Sequence, residues 1–173
     1  FHVSPHVLKM LNEGNAFDSG GGSIVVPNVS SSPLQGPKAA SLVIRKSDMT
    51  VSALDEQGKV IAQFPASAGS EHDPLPMGKW EITGVAKDPP FHYNPELFWD
   101  ADPKHSKAKI APGPNNPVGV VWIDLSKPHY RIHGTPDPSQ VGHAQSHGCI
   151  RLTNWDAARL AKMLSQAQPV RGI

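Results

Sequence analysis

The sequence predicts a mainly β (α+β) fold, and three observations support this prediction. Short runs of alternating apolar and polar residues fill the region after Ala39, as in half-buried strands. The 18 prolines and 15 glycines indicate many turns and long loops. Only two segments combine helical periodicity with capping residues. A length of 173 residues allows one ordinary domain and a small additional module.

Residues 1–38 are predicted to form a partial helix–strand module and a linker. A helical pattern covers residues 4–14, with Pro5 at the first helical position and Gly14 at the C-terminal end. A short apolar strand at 23–27 leads into a linker rich in Ser, Pro and Gly. Because the chain begins with Phe rather than Met, we interpret it as a mature or trimmed piece.

Residues 39–173 are predicted to form the main domain, which ends with its best helix. Thr153 or Asn154 caps this helix, predicted at 154–166, and Asp156 lies in its first turn. Residues 88–117 are rich in proline and aromatic residues and too long for a plain connection, so we expect them to cover a site. We expect Trp80 and Trp122 to lie in the core. The predicted strands are 41–46, 50–54, 59–64, 78–85, 118–124 and 130–133.

Charge and hydropathy exclude two classes of partner. The formal net charge is +1 and basic residues form no cluster, so we expect no nucleic-acid binding. No apolar stretch approaches the roughly 20 residues of a membrane span. A single cysteine forms no internal disulfide, and reducing and oxidising compartments both remain compatible with it.

That cysteine, Cys149, is the most informative residue. It follows Gly148, has His147 two positions before it, and lies 16 residues after His133. A lone cysteine with histidines in reach is a candidate nucleophile, although a lone cysteine is more often a small buried residue. A thiol attacks as its thiolate and needs a base within hydrogen-bonding distance.

Two histidines are candidates for that base, and we prefer His133. A base at the end of a strand is held more rigidly than His147, which shares a loop with the nucleophile. No acidic residue flanks either histidine, so we expect the backbone carbonyl of Gly134 to orient the imidazole. His147 then either contacts the oxyanion or supports the loop by hydrogen bonding.

Acyl transfer to Cys149 passes through an oxyanion, which requires backbone N–H donors. Gly148 permits close approach of the backbone, so the N–H groups of His147, Gly148 and Cys149 are the predicted oxyanion hole. Arg151 carries a planar guanidinium suited to a carboxylate. We assign it either to binding a substrate carboxylate or to ordering the loop.

These residues resemble the signature of the L,D-transpeptidase (YkuD-type) catalytic domain, a histidine followed after 14 to 17 residues by Ser/Thr-His-Gly-Cys. The matching segments are His133-Gly134-Thr135, then Ser146-His147-Gly148-Cys149-Ile150-Arg151-Leu152, then Asn154, and the resemblance covers roughly residues 39–170. It implies a β-sandwich or barrel with a C-terminal helix. It also implies that Cys149 is the nucleophile, His133 the base and His147 an auxiliary residue. Some relatives have Ser where this chain has Gly134, which leaves only a backbone carbonyl there.

The resemblance also implies a substrate and a location. Peptidoglycan stem peptides would be cleaved after the L-centre of meso-diaminopimelate, with release of D-Ala and transfer of the acyl group to an amine. Carbapenems would acylate Cys149, and the protein would act in the periplasm or cell wall without a cofactor or metal. Arg151, Ser146 and Tyr93 are the candidate substrate contacts, although Tyr93 is equally compatible with packing under the proline-rich loop. Residues 1–27 resemble the end of a LysM-like wall-binding repeat.

Two other functions stay open at this point. His129, His133, His143, His147 and Cys149 are of zinc-ligand types, but their spacing fits no common zinc finger. A zinc-binding hydrolase is therefore one alternative, and a non-catalytic wall-binding module with an inert cysteine is another. The acyl acceptor is not predictable from the sequence.

Overall fold

A computed structural model describes residues 5–18, 20, 22–26, 37–69, 74–75, 77–97, 101–142 and 148–173. The chain divides into two compact units, Phe1–Gln35 and Gly36–Ile173. Within the described ranges, neither helix has the length and apolar character needed to cross a membrane.

The first unit contains helix α1, Pro5–Leu11, which starts at the predicted proline. The predicted strand is wrong, because residues 22–26 have irregular backbone and Pro27 lies outside the described residues. The side chain of Asn12 satisfies the backbone of Val25 instead. The N–H of Val25 donates to Oδ1 of Asn12 at 2.6 Å, and Nδ2 of Asn12 donates to the carbonyl of Val25 at 2.8 Å.

The second unit is built on a nine-stranded sheet, and the prediction of a mainly β fold is confirmed. Its order is β3-β2-β1-β11-β5-β8-β9-β10-β4, and only the pairs β1–β11 and β9–β10 are parallel. The strands of this sheet are β1 Ser41–Arg45, β2 Thr50–Leu54, β3 Val60–Pro65, β4 Ser67–Ala68, β5 Gly78–Lys87, β8 Val121–Leu125, β9 Arg131–His133, β10 Ile150–Arg151 and β11 Pro169–Gly172. A separate two-stranded sheet pairs β6 Phe91–Tyr93 with β7 Ala108–Ile110.

Alternate residues of the central strands point into one hydrophobic core. Ile123, Ile132 and Ile150 are fully buried, on three adjacent strands. Helix α2, Asn154–Met163, adds Ala157 and Leu160 to this core. Thr153 caps the helix by accepting a hydrogen bond from the N–H of Asp156 at 3.0 Å, as one of the two predicted caps.

Three details differ from the prediction. Strand β8 begins at Val121 rather than at residue 118, because Gly119 has a φ of 64° and its N–H bonds the carbonyl of Asn116 in a turn. Helix α2 ends at Met163, three residues early. The proline-rich segment has secondary structure of its own, the β6–β7 hairpin.

The parallel pairing of β9 with β10 explains the spacing between His133 and Cys149. Adjacent parallel strands need a crossover connection, and residues 134–149 supply it. In this register Ile150 pairs with Ile132 and Arg151 pairs with His133. The crossover therefore returns the chain so that the cysteine precedes the strand beside the histidine.

Candidate active site

The candidate site lies on one face of strands β8, β9, β10 and β4, which we call the site face. It is opposite to the core face, where paired Ile123, Ile132 and Ile150 are buried. Side chains alternate between the two faces of a strand, so the site face carries the residues on either side of each isoleucine. These are Trp122, Asp124, Arg131, His133, Cys149 and Arg151.

Strand geometry brings Cys149 within side-chain reach of His133. Cys149 immediately precedes Ile150, and continuing the register of β9 and β10 by one residue puts it beside Arg131, two residues along β9 from His133. Two residues of rise and one strand spacing separate the two α-carbons by about 8 Å. Because both side chains project from the same face, they can approach each other across this gap.

Cys149 is half-buried and is not part of a disulfide. Its Sγ lies 3.9 Å from the carbonyl oxygen of His129, with the thiol as donor. His129 has a φ of 69°, an uncommon left-handed conformation for a non-glycine residue. A carbonyl oxygen only accepts hydrogen bonds, so the thiol is the donor in this contact.

His133 is buried, with 5% of its surface exposed. Its Nδ1 lies 2.6 Å from the carbonyl oxygen of Gly134. Since the carbonyl accepts, Nδ1 carries the proton, and in the neutral ring Nε2 keeps its lone pair. This is the contact that the sequence led us to expect, while the role of His133 as base stays a prediction.

The surroundings of His133 keep its imidazole neutral. Burial lowers its pKa from 6.5 to about 4. The hydrogen bond to Gly134 opposes this change, and the positive charges of Arg151 and Arg131 add to it. At neutral pH the imidazole is therefore neutral, which is the form that can accept a proton.

Trp122 supports the imidazole of His133 from the neighbouring strand, which the sequence did not reveal. Their rings stack with centroids 5.9 Å apart and an interplanar angle of 24°. Oδ1 of Asp124 accepts from Nε1 of Trp122 at 2.9 Å and from Nε of Arg131 at 3.0 Å. The Arg131 guanidinium lies 4.8 Å from the centre of the Trp122 ring. Trp122 is thus half-buried beside the site rather than in the core. Trp80 is also half-buried and packs against the core from outside, so neither tryptophan is a core residue as predicted.

Gly148 has a backbone conformation that suits glycine. Its φ is 87°, which L side chains rarely adopt. A Cβ at this position would lie 3.1 Å from Cε1 of Tyr130, which is tight. Tyr130 therefore packs closely against the residue before the thiol.

The other predicted contacts fall in different places. Arg151 lies in β10 between His133 and Ser67 in register. Ser67 donates to the carbonyl of Gln140 at 2.6 Å, so it fixes the start of the loop to Cys149. Tyr93 lies in the separate β6–β7 sheet, where its hydroxyl is 3.1 Å from Nδ1 of His105. The substrate roles of Arg151 and Tyr93 stay predictions.

Ser146 and His147 lie outside the described residues, as does His143. The roles predicted for Ser146 and His147 therefore stay predictions. Within the described ranges, His, Cys, Asp and Glu side chains form no group of three that could hold a metal ion. The segment from His129 to His133 enters strand β9, not a helix.

Comparison with known proteins identifies the family. Residues 39–171 match the model of the YkuD family, described as the L,D-transpeptidase catalytic domain. The chain belongs to this family. The match covers the sheet except Gly172, the last residue of β11, and it includes His133 and Cys149.

Two curated relatives and one solved structure illustrate the similarity. A putative L,D-transpeptidase YkuD of Bacillus subtilis is 28% identical over 165 residues, 95% of this chain and 83% of the relative. The YkuD protein of Bacillus licheniformis is 51% identical over 53 residues, only 31% of this chain and 32% of the relative. The L,D-transpeptidase LdtMt1, solved in complex with imipenem, superposes with a TM-score of 0.59 at 20% identity. That match covers 78% of this chain and 59% of the solved one, and at this identity it supports the fold alone.

Proposed function

We propose that this protein is a peptidoglycan L,D-transpeptidase that works through a thioester on Cys149. The observation that carries the proposal is the hydrogen bond from Nδ1 of His133 to the Gly134 carbonyl. It leaves the lone pair of Nε2 available to a thiol on the same face of the sheet. Membership of the YkuD family supplies the substrate class.

In the first half-reaction, Nε2 of His133 takes the thiol proton as Sγ of Cys149 attacks the carbonyl at the L-centre of diaminopimelate. The resulting oxyanion is stabilised by backbone N–H groups around Gly148. Collapse breaks the bond to D-Ala, whose amine leaves with the proton from His133. The product is a thioester and a neutral imidazole.

In the second half-reaction, an acceptor amine attacks the thioester and passes its proton to His133. The thiolate leaves and is reprotonated, which restores the starting state. A second diaminopimelate as acceptor gives a 3→3 cross-link. A lipoprotein lysine, a free D-amino acid or water would give anchoring, exchange or hydrolysis.

The low basicity of His133 fits proton transfer during attack rather than before it. Because the pKa of this imidazole is about 4, the thiolate–imidazolium pair is scarcely populated before substrate binds. Once substrate is bound, negative charge moves from sulfur to the oxyanion and the imidazolium becomes favourable. Arg151 pairs with His133 in register, and its positive charge lowers the pKa of the imidazole. We propose that the same guanidinium binds a stem-peptide carboxylate.

The family implies action on peptidoglycan, and hence a periplasmic or cell-wall location. We propose carbapenems as acylating inhibitors, in line with the imipenem complex of LdtMt1. We also propose that residues 1–38 are part of a wall-binding module. Retention of the chain on insoluble peptidoglycan after Cys149→Ala replacement would separate wall binding from catalysis.

The direct test is incubation with a purified tetrapeptide muropeptide, followed by mass spectrometry of the products. Release of D-Ala together with a cross-linked, exchanged or hydrolysed muropeptide supports the proposal and identifies the acceptor. An intact tetrapeptide after prolonged incubation would contradict it. Metal analysis of the same sample tests the alternative of a zinc-binding hydrolase. Stoichiometric zinc that is lost together with activity would support that alternative.

A further inference from the structure

Asn154 connects three segments around the candidate base. Its Oδ1 accepts from the N–H of Val120 at 3.1 Å, and its Nδ2 donates to the carbonyl of Pro114 at 3.0 Å. Because it is the first residue of α2, this side chain joins the helix to the turn that precedes β8.

The same amide packs directly on Gly134. A Cβ built on Gly134 would lie 2.2 Å from Oδ1 of Asn154, and one built on Gly119 would lie 1.9 Å from it. The Gly119 position is also 2.8 Å from Cα of Gly134. Two glycines and one amide therefore fill this space without room for another atom.

Gly134 is the residue whose carbonyl holds His133. Its N–H donates to the carbonyl of Val121 at 3.2 Å, and the carbonyl of His133 accepts from Leu152 at 2.9 Å. These two bonds hold the peptide between His133 and Gly134 on both sides. The Asn154 amide packs on Gly134 beside the next peptide, which carries the Gly134 carbonyl. Loss of that amide would free the Gly134 carbonyl to rotate away from Nδ1 of His133.

We infer that Asn154 is a positioning residue, which sets the orientation and tautomer of His133 through its packing against Gly134. This inference rests on the proposed function of His133 as the base. It explains why this chain has glycine at position 134, since the amide of Asn154 occupies the space of a side chain. It also gives Asn154 a role beyond the start of helix α2.

The test compares Asn154→Ala with Thr153→Ala, which removes the cap of the same helix but leaves the packing on Gly134 intact. The acylation rate of Cys149 by imipenem should fall about 10- to 100-fold in Asn154→Ala, as expected for a misplaced base. It should stay within about twofold of the native rate in Thr153→Ala. Equal losses in the two variants, or no loss in either, would overturn the inference.

A second measurement reports on the geometry of His133 and does not depend on enzymatic activity. The Nδ1 proton of His133 should give a low-field NMR resonance, assigned by its absence in His133→Gln. We expect the resonance to persist in Thr153→Ala and to shift upfield or vanish in Asn154→Ala. An unchanged resonance in Asn154→Ala would contradict the inference. If native protein showed this resonance pattern but no acylation, the proposed function would fail while the positioning role stood.

Gly134→Ala tests the contact from the other side and serves if Asn154→Ala does not fold. It should lower the acylation rate in the native background because its Cβ meets the amide. In the Asn154→Ala background it should cause little additional loss, since the space is then open. Additive losses would show that the two residues do not act through one contact.

Discussion

Replacing His133 by Gln should remove much of the acid sensitivity of folding. The buried imidazole has a pKa of about 4, below the 6.5 of an exposed histidine. Between these pH values the unfolded chain binds a proton that the folded chain does not. The stabilisation is therefore complete above pH 6.5 and is lost as the pH falls towards 4.

The magnitude follows from the same two values. One pKa unit corresponds to about 1.36 kcal/mol, so the fall from 6.5 to about 4 is worth roughly 3 kcal/mol. This is a large part of the 5–15 kcal/mol that is typical of domain stability. Arg151 and Arg131 contribute to it, but burial of the ring is the main cause.

The assay is urea unfolding at pH 7, 6, 5 and 4, with the free energy of unfolding extrapolated to water. Native protein and His133→Gln share all carboxylates, so the difference between their pH profiles isolates the histidine. His92→Gln is the matched control, because His92 is exposed in strand β6. Parallel profiles for native protein and His133→Gln would refute the reasoning.

Three further predictions concern the acylation of Cys149. His133→Ala should lose more of the imipenem acylation rate than His143→Ala, because His133 belongs to the motif and its ring is fixed on the Gly134 carbonyl. Stopped-flow rates that fall equally would count against His133 as base. Trp122→Ala should lower the rate more than Trp122→Phe, which keeps a stacked ring beside His133; identical rates would show that stacking is irrelevant. Gly148→Ala should lower the free energy of unfolding by about 1 kcal/mol through backbone strain, which a lower urea midpoint would show. It should also slow acylation, because the added methyl group meets Tyr130. A native midpoint together with a native rate would contradict this.

The elements that could be predicted from the sequence are those with a local signal. Strands β1, β2 and β3 are short runs rich in apolar residues that are joined by turns, and α2 has a capping threonine. The family match and the β-rich fold agree with the resemblance found in the motif.

The missed elements depend on distant partners. Strands β4 and β10 have two residues each, too few to show periodicity. Strand β11 begins with a proline and includes Gly172, both poor strand signals, but pairs with β1 and β5. The run at 118–120 is apolar like a strand, yet Gly119 turns the chain there.

The candidate site shows the same division. The spacing of His133 and Cys149 and the glycine after the histidine suggested a carbonyl-oriented imidazole, because those signals are local. The stacking of Trp122 on His133 depends on the register of β8 with β9, which no spacing reveals. The packing of Asn154 on Gly134 likewise depends on where α2 meets the sheet.

The most direct test of the central claim is intact-protein mass spectrometry after incubation with imipenem or the tetrapeptide muropeptide. If Cys149 is the nucleophile, we expect a single covalent adduct that maps to the peptide containing Cys149 and is absent from Cys149→Ala. With the muropeptide, the adduct mass should correspond to the substrate less D-Ala. An adduct that persists in Cys149→Ala, or turnover of the muropeptide by that variant, would contradict the assignment of Cys149 as nucleophile.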